Sequence, residues 1–244
     1  MSVEINGTVS DGWEPLVEKF ASNFDRFNEL GASVCVTYEG ETVVDVWAGD
    51  RDAEGNPWLE DTIAVVNSCT KGAVALACHL LADRGLLDLD APVAEVWPEF
   101  AHGAKATVTT RMMLNHTTGV AAFRDELPEG SAFDWDYMCD RVAAEEPWWP
   151  PGTRNGYHLM SFGWVAGELV RRASGLSLGT FFREELAEPA GADFWIGLPA
   201  TEHHRVSPLK PFRPGEKEEF SAFTRAFIAD ADGLQARAWR NRGG

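Results

Sequence analysis

Apolar residues at Trp13, Leu16, Val17, Phe20, Phe24 and Phe27 recur at helical spacing, which predicts an amphipathic helix over residues 13–27. The period then shortens. Residues 32–38 and 42–47 are β-rich runs around Glu39-Gly40-Glu41 and read as a hairpin. Residues 49–57 form a polar loop. Residues 68–81 are apolar nearly all round, the mark of a central buried helix, which ends near Asp83-Arg84-Gly85. Residues 86–98 are loop and short helix punctuated by Pro92 and Pro98, and 109–115 a short helix stopped by His116-Thr117-Thr118-Gly119. After a Pro-rich turn at 148–152, helices are predicted over 157–173, closed by Gly175, and over 178–186, before Pro189. Residues 198–215 are loop-like, and a last acidic amphipathic helix is predicted over 216–229. Only one pair of strands stands out, and an isolated hairpin is marginal, so it must pair with or pack on something else.

Composition narrows the class. With 244 residues and 45% hydrophobic content, the chain can build one large domain or two small ones. A net charge of −17 spread along the chain argues against a nucleic-acid partner, which needs a basic surface, and its plain reading is solubility. No run approaches the roughly 18 apolar residues of a membrane helix. Residues 1–13 lack the basic start and apolar stretch of a secretory signal, so the expected compartment is the cytoplasm. Cys35, Cys69, Cys78 and Cys139 show no metal-ligand spacing and are expected as free thiols.

The candidate chemistry begins at Ser68-Cys69-Thr70-Lys71. On a helix, positions i and i+3 share a face, so the Ser68 hydroxyl and the Lys71 amine can meet across one turn. The first helical turn favours negative charge on a reacting oxygen. A serine needs a neighbouring base to become a nucleophile, and a lysine whose pKa is lowered by burial can serve as that base. Cys69 should point about 100° away from Ser68 and pack. The tetrad alone is a weak signal, because Ser and Lys are common.

Its company strengthens it. Ser68-Cys69-Thr70-Lys71-Gly72 is followed by Arg111-Met112-Met113-Leu114-Asn115-His116-Thr117-Thr118-Gly119, then Pro151-Gly152-Thr153-Arg154-Asn155-Gly156-Tyr157-His158, then Phe194-Trp195-Ile196-Gly197-Leu198-Pro199. In that order, over about residues 13–240, the chain resembles the serine β-lactamase and penicillin-binding superfamily, and most of all its β-lactamase-related carboxylesterases, the family VIII esterases. The resemblance implies an α+β, β-lactamase/transpeptidase-like fold, with an antiparallel sheet packed with helices plus an all-helical region, as one hydrolase domain over residues 1–244. It implies Ser68 as the nucleophile forming an acyl-enzyme, Lys71 tuning the proton transfer and Tyr157 as partner base. A phenol of ordinary pKa ~10 must be lowered for that role, and a nearby ammonium does so. The Ser68 N–H would supply half of an oxyanion hole. The implied substrate is a small-molecule, short-chain ester, with no metal or organic cofactor, no nucleic acid and no membrane; the oligomeric state is left open.

Two departures matter. Class C lactamases carry Tyr-x-Asn where this chain has Tyr157-His158-Leu159, which moves the expectation from lactamase toward esterase. The sequence also ends at Gly244 without the Lys-Thr-Gly counterpart that the family places on a later strand, so the C-terminal strands are expected to be missing. Losing one oxyanion donor costs on the order of 10²–10³ in rate. A β-lactamase or D,D-peptidase, and a non-catalytic remnant, are therefore the alternatives.

Several residues have plainer readings beside the sharp ones. Tyr157 can be a core aromatic, His158 a packing residue and His116 the former of a turn. His203-His204 lacks a third ligand at useful spacing for a metal. Gly175-Leu176-Ser177-Leu178-Gly179 matches the nucleophile elbow of α/β-hydrolases, but it falls between two helices, where Ser177 reads as a loop or cap residue. Trp135, Trp148 and Trp149 fit an acyl pocket and a helical core equally well.

Overall fold

Alternation over residues 31–49 produces the predicted hairpin. In a computed structural model that describes residues 3–209, 221–230, 232–241 and 243, β2 (Gly31–Tyr38) and β3 (Glu41–Gly49) pair antiparallel. The turn residues Glu39 and Gly40 both have positive φ (50° and 88°), as a type I′ hairpin turn requires. A third strand that the pattern does not announce, β1 (Ile5–Val9), pairs with the other edge of β3, so the order is β1-β3-β2. Four of its five residues are exposed, so it carries no buried face to read and is held by backbone pairing.

The helix predicted over 13–27 is α1 (Glu14–Phe27). Its Phe20 packs with Val44, Val46 and Ala48 of β3, and Leu16, Val17 and Phe24 lie against this cluster. At the end of the hairpin Gly31 faces Gly49. A Cβ on Gly49 would lie 2.3 Å from the Leu30 carbonyl oxygen and 2.7 Å from Phe24, so only glycine lets strand and helix close up there. Two short strands, β4 (Ile63–Ala64) and β5 (Val206–Ser207), pair in parallel. β5 falls inside the stretch expected to be loop, and two residues are too few to leave a period.

These elements form one compact unit, Met1–Asn67 with Leu198–Arg213; a second comprises Ser68–Gly197 with Pro214–Gly244. The second unit is helical. Its centre is α2 (Thr70–Asp83), entered through a short 3₁₀ turn at Asn67–Cys69. Next come α3 (Thr110–Leu114), α4 (Trp135–Ala144) and α5 (Phe162–Ser174). Val74, Ala77, Cys78 and Leu81 of α2 pack on Phe162, Ala166 and Val170 of α5. The opposite side of α5 buries Val165 and Leu169 against Met138 and Val142 of α4, with Trp97, Phe100 and Met113 completing that core. The sequence reading omits α4, although its signals are present: Asp134 caps it by accepting the Tyr137 N–H, and Met138, Cys139 and Val142 share its buried face.

The helix predicted from residue 157 begins only at Phe162. Upstream, the Gly156 N–H donates to the His116 carbonyl and the His158 N–H to the His116 ring, so these groups do not serve a helix. The segment expected over 178–186 runs further, as α6 (Leu178–Phe182), a π turn (Arg183–Ala187) and α7 (Glu188–Ala190), which ends at left-handed Gly191. Of the last predicted helix, residues 216–220 lie outside the described residues; α8 (Ala222–Ala229) is its described part, and α9 (Leu234–Arg240) follows.

Among the described residues of this helical unit, the charged groups Lys105 and Glu168 are fully buried. The Lys105 ammonium caps the end of α4, donating to the carbonyls of Ala143 (2.9 Å) and Glu145. Glu168 of α5 accepts from Arg171, Arg172 and Trp135 at 2.7–2.9 Å. Burial pushes its carboxyl up, but these donors outweigh burial and bring it down to about 2.

Candidate active site

Ser68 lies in the 3₁₀ turn that feeds α2, with its side chain exposed, and Lys71 lies half-buried in the first turn of α2. The expected meeting occurs: Lys71 Nζ donates to Ser68 Oγ at 3.0 Å. The residue before Ser68, Asn67, is left-handed (φ 46°), a conformation that Asn tolerates better than most side chains. The same ammonium donates to the Leu159 carbonyl at 3.4 Å and stands 4.7 Å from the centroid of the Tyr157 ring. Residues 68, 71 and 157, named together from the sequence, therefore converge. Tyr157 is not a core aromatic, since its side chain is 45% exposed.

The electrostatics of Tyr157 suit its expected role. The Ser68 side chain beside the phenol and the Lys71 ammonium favour the phenolate; they outweigh partial burial and the Cys69 thiol, and hold the phenol below its ordinary value. Cys69 is exposed, which corrects the expectation that it packs. It lies outside the buried face of α2, which is made by Ala73, Val74, Ala77, Cys78 and Leu81.

Burial disfavours the charged form of both histidines of the motifs. His158 is fully buried, its Nε2 lies 2.8 Å from Thr118 Oγ1, and burial drives it down to about 3. Its ring packs edge-on against that of His116, 5.2 Å between centroids, so it sits where the plainer reading puts it, in packing. His116 does form a turn, with φ 65°, but its ring also lies against Tyr157 (4.7 Å between centroids) and Phe162 (5.2 Å). Burial and then the Lys71 charge push His116 below its ordinary value. The sequence reading misses that contact, because nothing in a local period marks residues 41 positions apart as neighbours.

The other candidates fall elsewhere. Ser177 caps α6 by accepting the Thr180 N–H at 3.1 Å. His203 and His204 lie in a 3₁₀ turn and face the carbonyls of Leu198 and Thr201. Among the described residues no group of three His, Cys, Asp or Glu side chains converges as a metal site. Trp135 belongs to the helical core through Glu168, whereas Trp148 donates to the Ala122 carbonyl and Trp149 to that of Arg154. Trp149 braces the Tyr157 segment so closely that a Cβ on Gly156 would lie 2.3 Å from its ring.

The beta-lactamase family profile matches residues 20–231. The chain belongs to the beta-lactamase family. Within that family it is 41% identical over 179 residues to the esterase/beta-lactamase LipL of Mycobacterium tuberculosis, across 73% of this chain and 41% of that protein. It is 34% identical over 210 residues to esterase EstB of Burkholderia gladioli, across 78% of this chain and 52% of EstB. A family VIII carboxylesterase structure superposes with a TM-score of 0.81 at 40% identity, covering 98% of this chain and 65% of that one. A penicillin-binding protein homologue from Caulobacter crescentus gives 0.84 at 38% identity, with the same coverage. The chain thus spans about half the length of these two relatives and about two thirds of the solved structures. Family membership fixes the β-lactamase/transpeptidase-like fold, with its antiparallel sheet and helices. No helix among the described residues is long and apolar enough to cross a membrane.

Proposed function

We propose that this chain is a carboxylesterase that hydrolyses small, short-chain esters through an acyl-enzyme on Ser68. The observation that carries the reading is the convergence of three side chains: Lys71 Nζ donates to Ser68 Oγ at 3.0 Å and stands 4.7 Å from the centroid of the Tyr157 ring, and Ser68 and Lys71 hold the phenol below its ordinary value. In the forward step Ser68 Oγ bonds to the ester carbonyl carbon while its proton passes to the Tyr157 phenolate. Lys71 holds the phenolate and the serine together and stabilises the negative charge between them. The Ser68 N–H serves as one donor to the oxyanion. Collapse breaks the ester C–O bond, and the leaving alcohol takes the proton from Tyr157. Water, deprotonated by the same phenolate, then adds to the acyl carbon; the bond to Ser68 Oγ breaks, the Tyr157 proton returns to Oγ, and the carboxylic acid leaves.

The likeness to proteins named as esterases supports ester substrates. So does Leu159: where class C lactamases carry the Asn of Tyr-x-Asn, this chain has a leucine, with no side-chain amide to offer a β-lactam. A lactamase activity keeps one observation in its favour, the double name of LipL. The reading takes the two units as one hydrolase domain, and the free cysteines support a reducing, cytoplasmic setting. The test is turnover of p-nitrophenyl butyrate beside nitrocefin by the wild type and Ser68→Ala. Butyrate turnover that vanishes in the variant, with little nitrocefin cleavage, is the expected result. Butyrate turnover that survives in Ser68→Ala, or a folded wild type that hydrolyses nitrocefin and not butyrate, contradicts it.

A further inference from the structure

The segment that carries Tyr157 has no secondary structure of its own, yet a catalytic phenol must be held in place. Residues 148–158 are laid along the turn Asn115-His116-Thr117-Thr118-Gly119 by a row of bonds. Trp148 N–H donates to the Gly119 carbonyl (2.9 Å), Gly152 N–H to that of Thr117 (2.8 Å) and Gly156 N–H to that of His116 (2.9 Å). Asn155 Nδ2 donates to the Asn115 carbonyl at 2.7 Å. Bonds to His116 flank Tyr157 on both sides: the residue before it bonds the His116 carbonyl, and the residue after it donates its N–H to His116 Nδ1 at 3.2 Å. The His116 ring meanwhile lies against the Tyr157 ring itself.

We propose that His116 is a positioning residue that fixes Tyr157 against Ser68 and Lys71, acting through its Nδ1 acceptor and its left-handed backbone. Two details make the role specific. An Nδ1 that accepts from the His158 N–H must be unprotonated, so the neutral ring carries its proton on Nε2. The positive φ of His116 (65°) turns its carbonyl toward Gly156 and its ring toward Tyr157 from one residue, a conformation that few side chains adopt. The inference rests on the proposed role of Tyr157, and its test separates the two.

The discriminating substitutions are His116→Asn, which keeps an acceptor at the place of Nδ1 and tolerates a left-handed backbone, His116→Phe, which keeps a ring without the acceptor, and His116→Ala. The chain has three tyrosines, so ¹³Cζ-labelled tyrosine gives three phenol resonances; those of Tyr38 and Tyr137 report whether each variant is folded. In the wild type the Tyr157 resonance should titrate below the ordinary phenol value of about 10. His116→Ala and His116→Phe should return it toward that value and slow phosphonate labelling of Ser68 about 10–100-fold. His116→Asn should restore both to near wild type. If Tyr157 titrates low and labelling is unchanged in folded His116→Ala or His116→Phe, or if Asn restores nothing, His116 holds nothing that matters and the inference fails. A wild-type Tyr157 that titrates at its ordinary value would instead defeat the reading of Tyr157 itself.

Discussion

Lys71 donates to the alcohol that should attack and stands 4.7 Å from the ring of the phenol that should take its proton, so each partner has a distinct expected loss. Removing the phenol oxygen in Tyr157→Phe should lower kcat by about 10²–10⁴-fold with little change in KM. It should also abolish the rise of the acylation rate with pH, because a base works only when deprotonated. That rise should lie below the ordinary phenol range, since Ser68 and Lys71 hold Tyr157 down. Lys71→Ala should cost a similar factor and move the rise to higher pH; pre-steady-state kinetics with p-nitrophenyl butyrate would show both. Ser68 and Lys71 are legible in the sequence because their contact is local, three residues apart on one turn. Tyr157 is reachable only through the resemblance, and its partner His116 not at all, since the contact between them depends on a loop laid across another loop.

Helix α4 shows what local patterns leave unread at the scale of an element. Helix α1 and the β2–β3 hairpin are legible because each has one wet and one dry face. In α4 the cap and buried face are present, but Trp135 reads equally well as a pocket residue. What commits the segment is a distant partner, Glu168, which binds Trp135 and the two arginines of α5. Glu168→Ala should destabilise the chain by about 2–3 kcal/mol, because it removes the fully buried carboxylate that Trp135, Arg171 and Arg172 share and leaves the two arginines only the exposed Asp136 and Glu99. Asp134→Ala removes only a cap and should cost about 1 kcal/mol. Urea unfolding would rank the two, and equal losses would mean that Glu168 is dispensable to the packing of α4 on α5. β1 and β5 stay illegible for another reason: they are short or exposed strands held by backbone pairing, which side-chain periods do not encode.

Two buried groups of the helical unit set how the whole molecule responds to acid. His158, held down to about 3 against an ordinary value of 6.5, stays neutral in the fold while the unfolded chain takes up a proton. Its effect is absent above pH 6.5, and stability falls by up to about 1.4 kcal/mol per pH unit from there toward 3. Glu168 works in the same direction lower down. Its contribution is complete above about 4.5 and is lost as pH falls toward 2. The surface, with a net charge of −17, sheds repulsion on acidification and opposes both. His158→Gln, which can still reach Thr118 but does not titrate, isolates the first effect. Its Tm should fall less than that of the wild type between pH 6.5 and 5, and parallel curves would show that His158 is not the sensor.

The central claim is that Ser68, Lys71 and Tyr157 act as one unit with Ser68 as its nucleophile. The measurement that meets it most directly is intact-mass and peptide mapping after treatment with a serine-reactive fluorophosphonate. One adduct per chain is expected, on the peptide that contains Ser68, forming faster as pH rises and lost in Ser68→Ala. An adduct on Ser177 or another serine, or no adduct on a chain shown to be folded, would contradict the account.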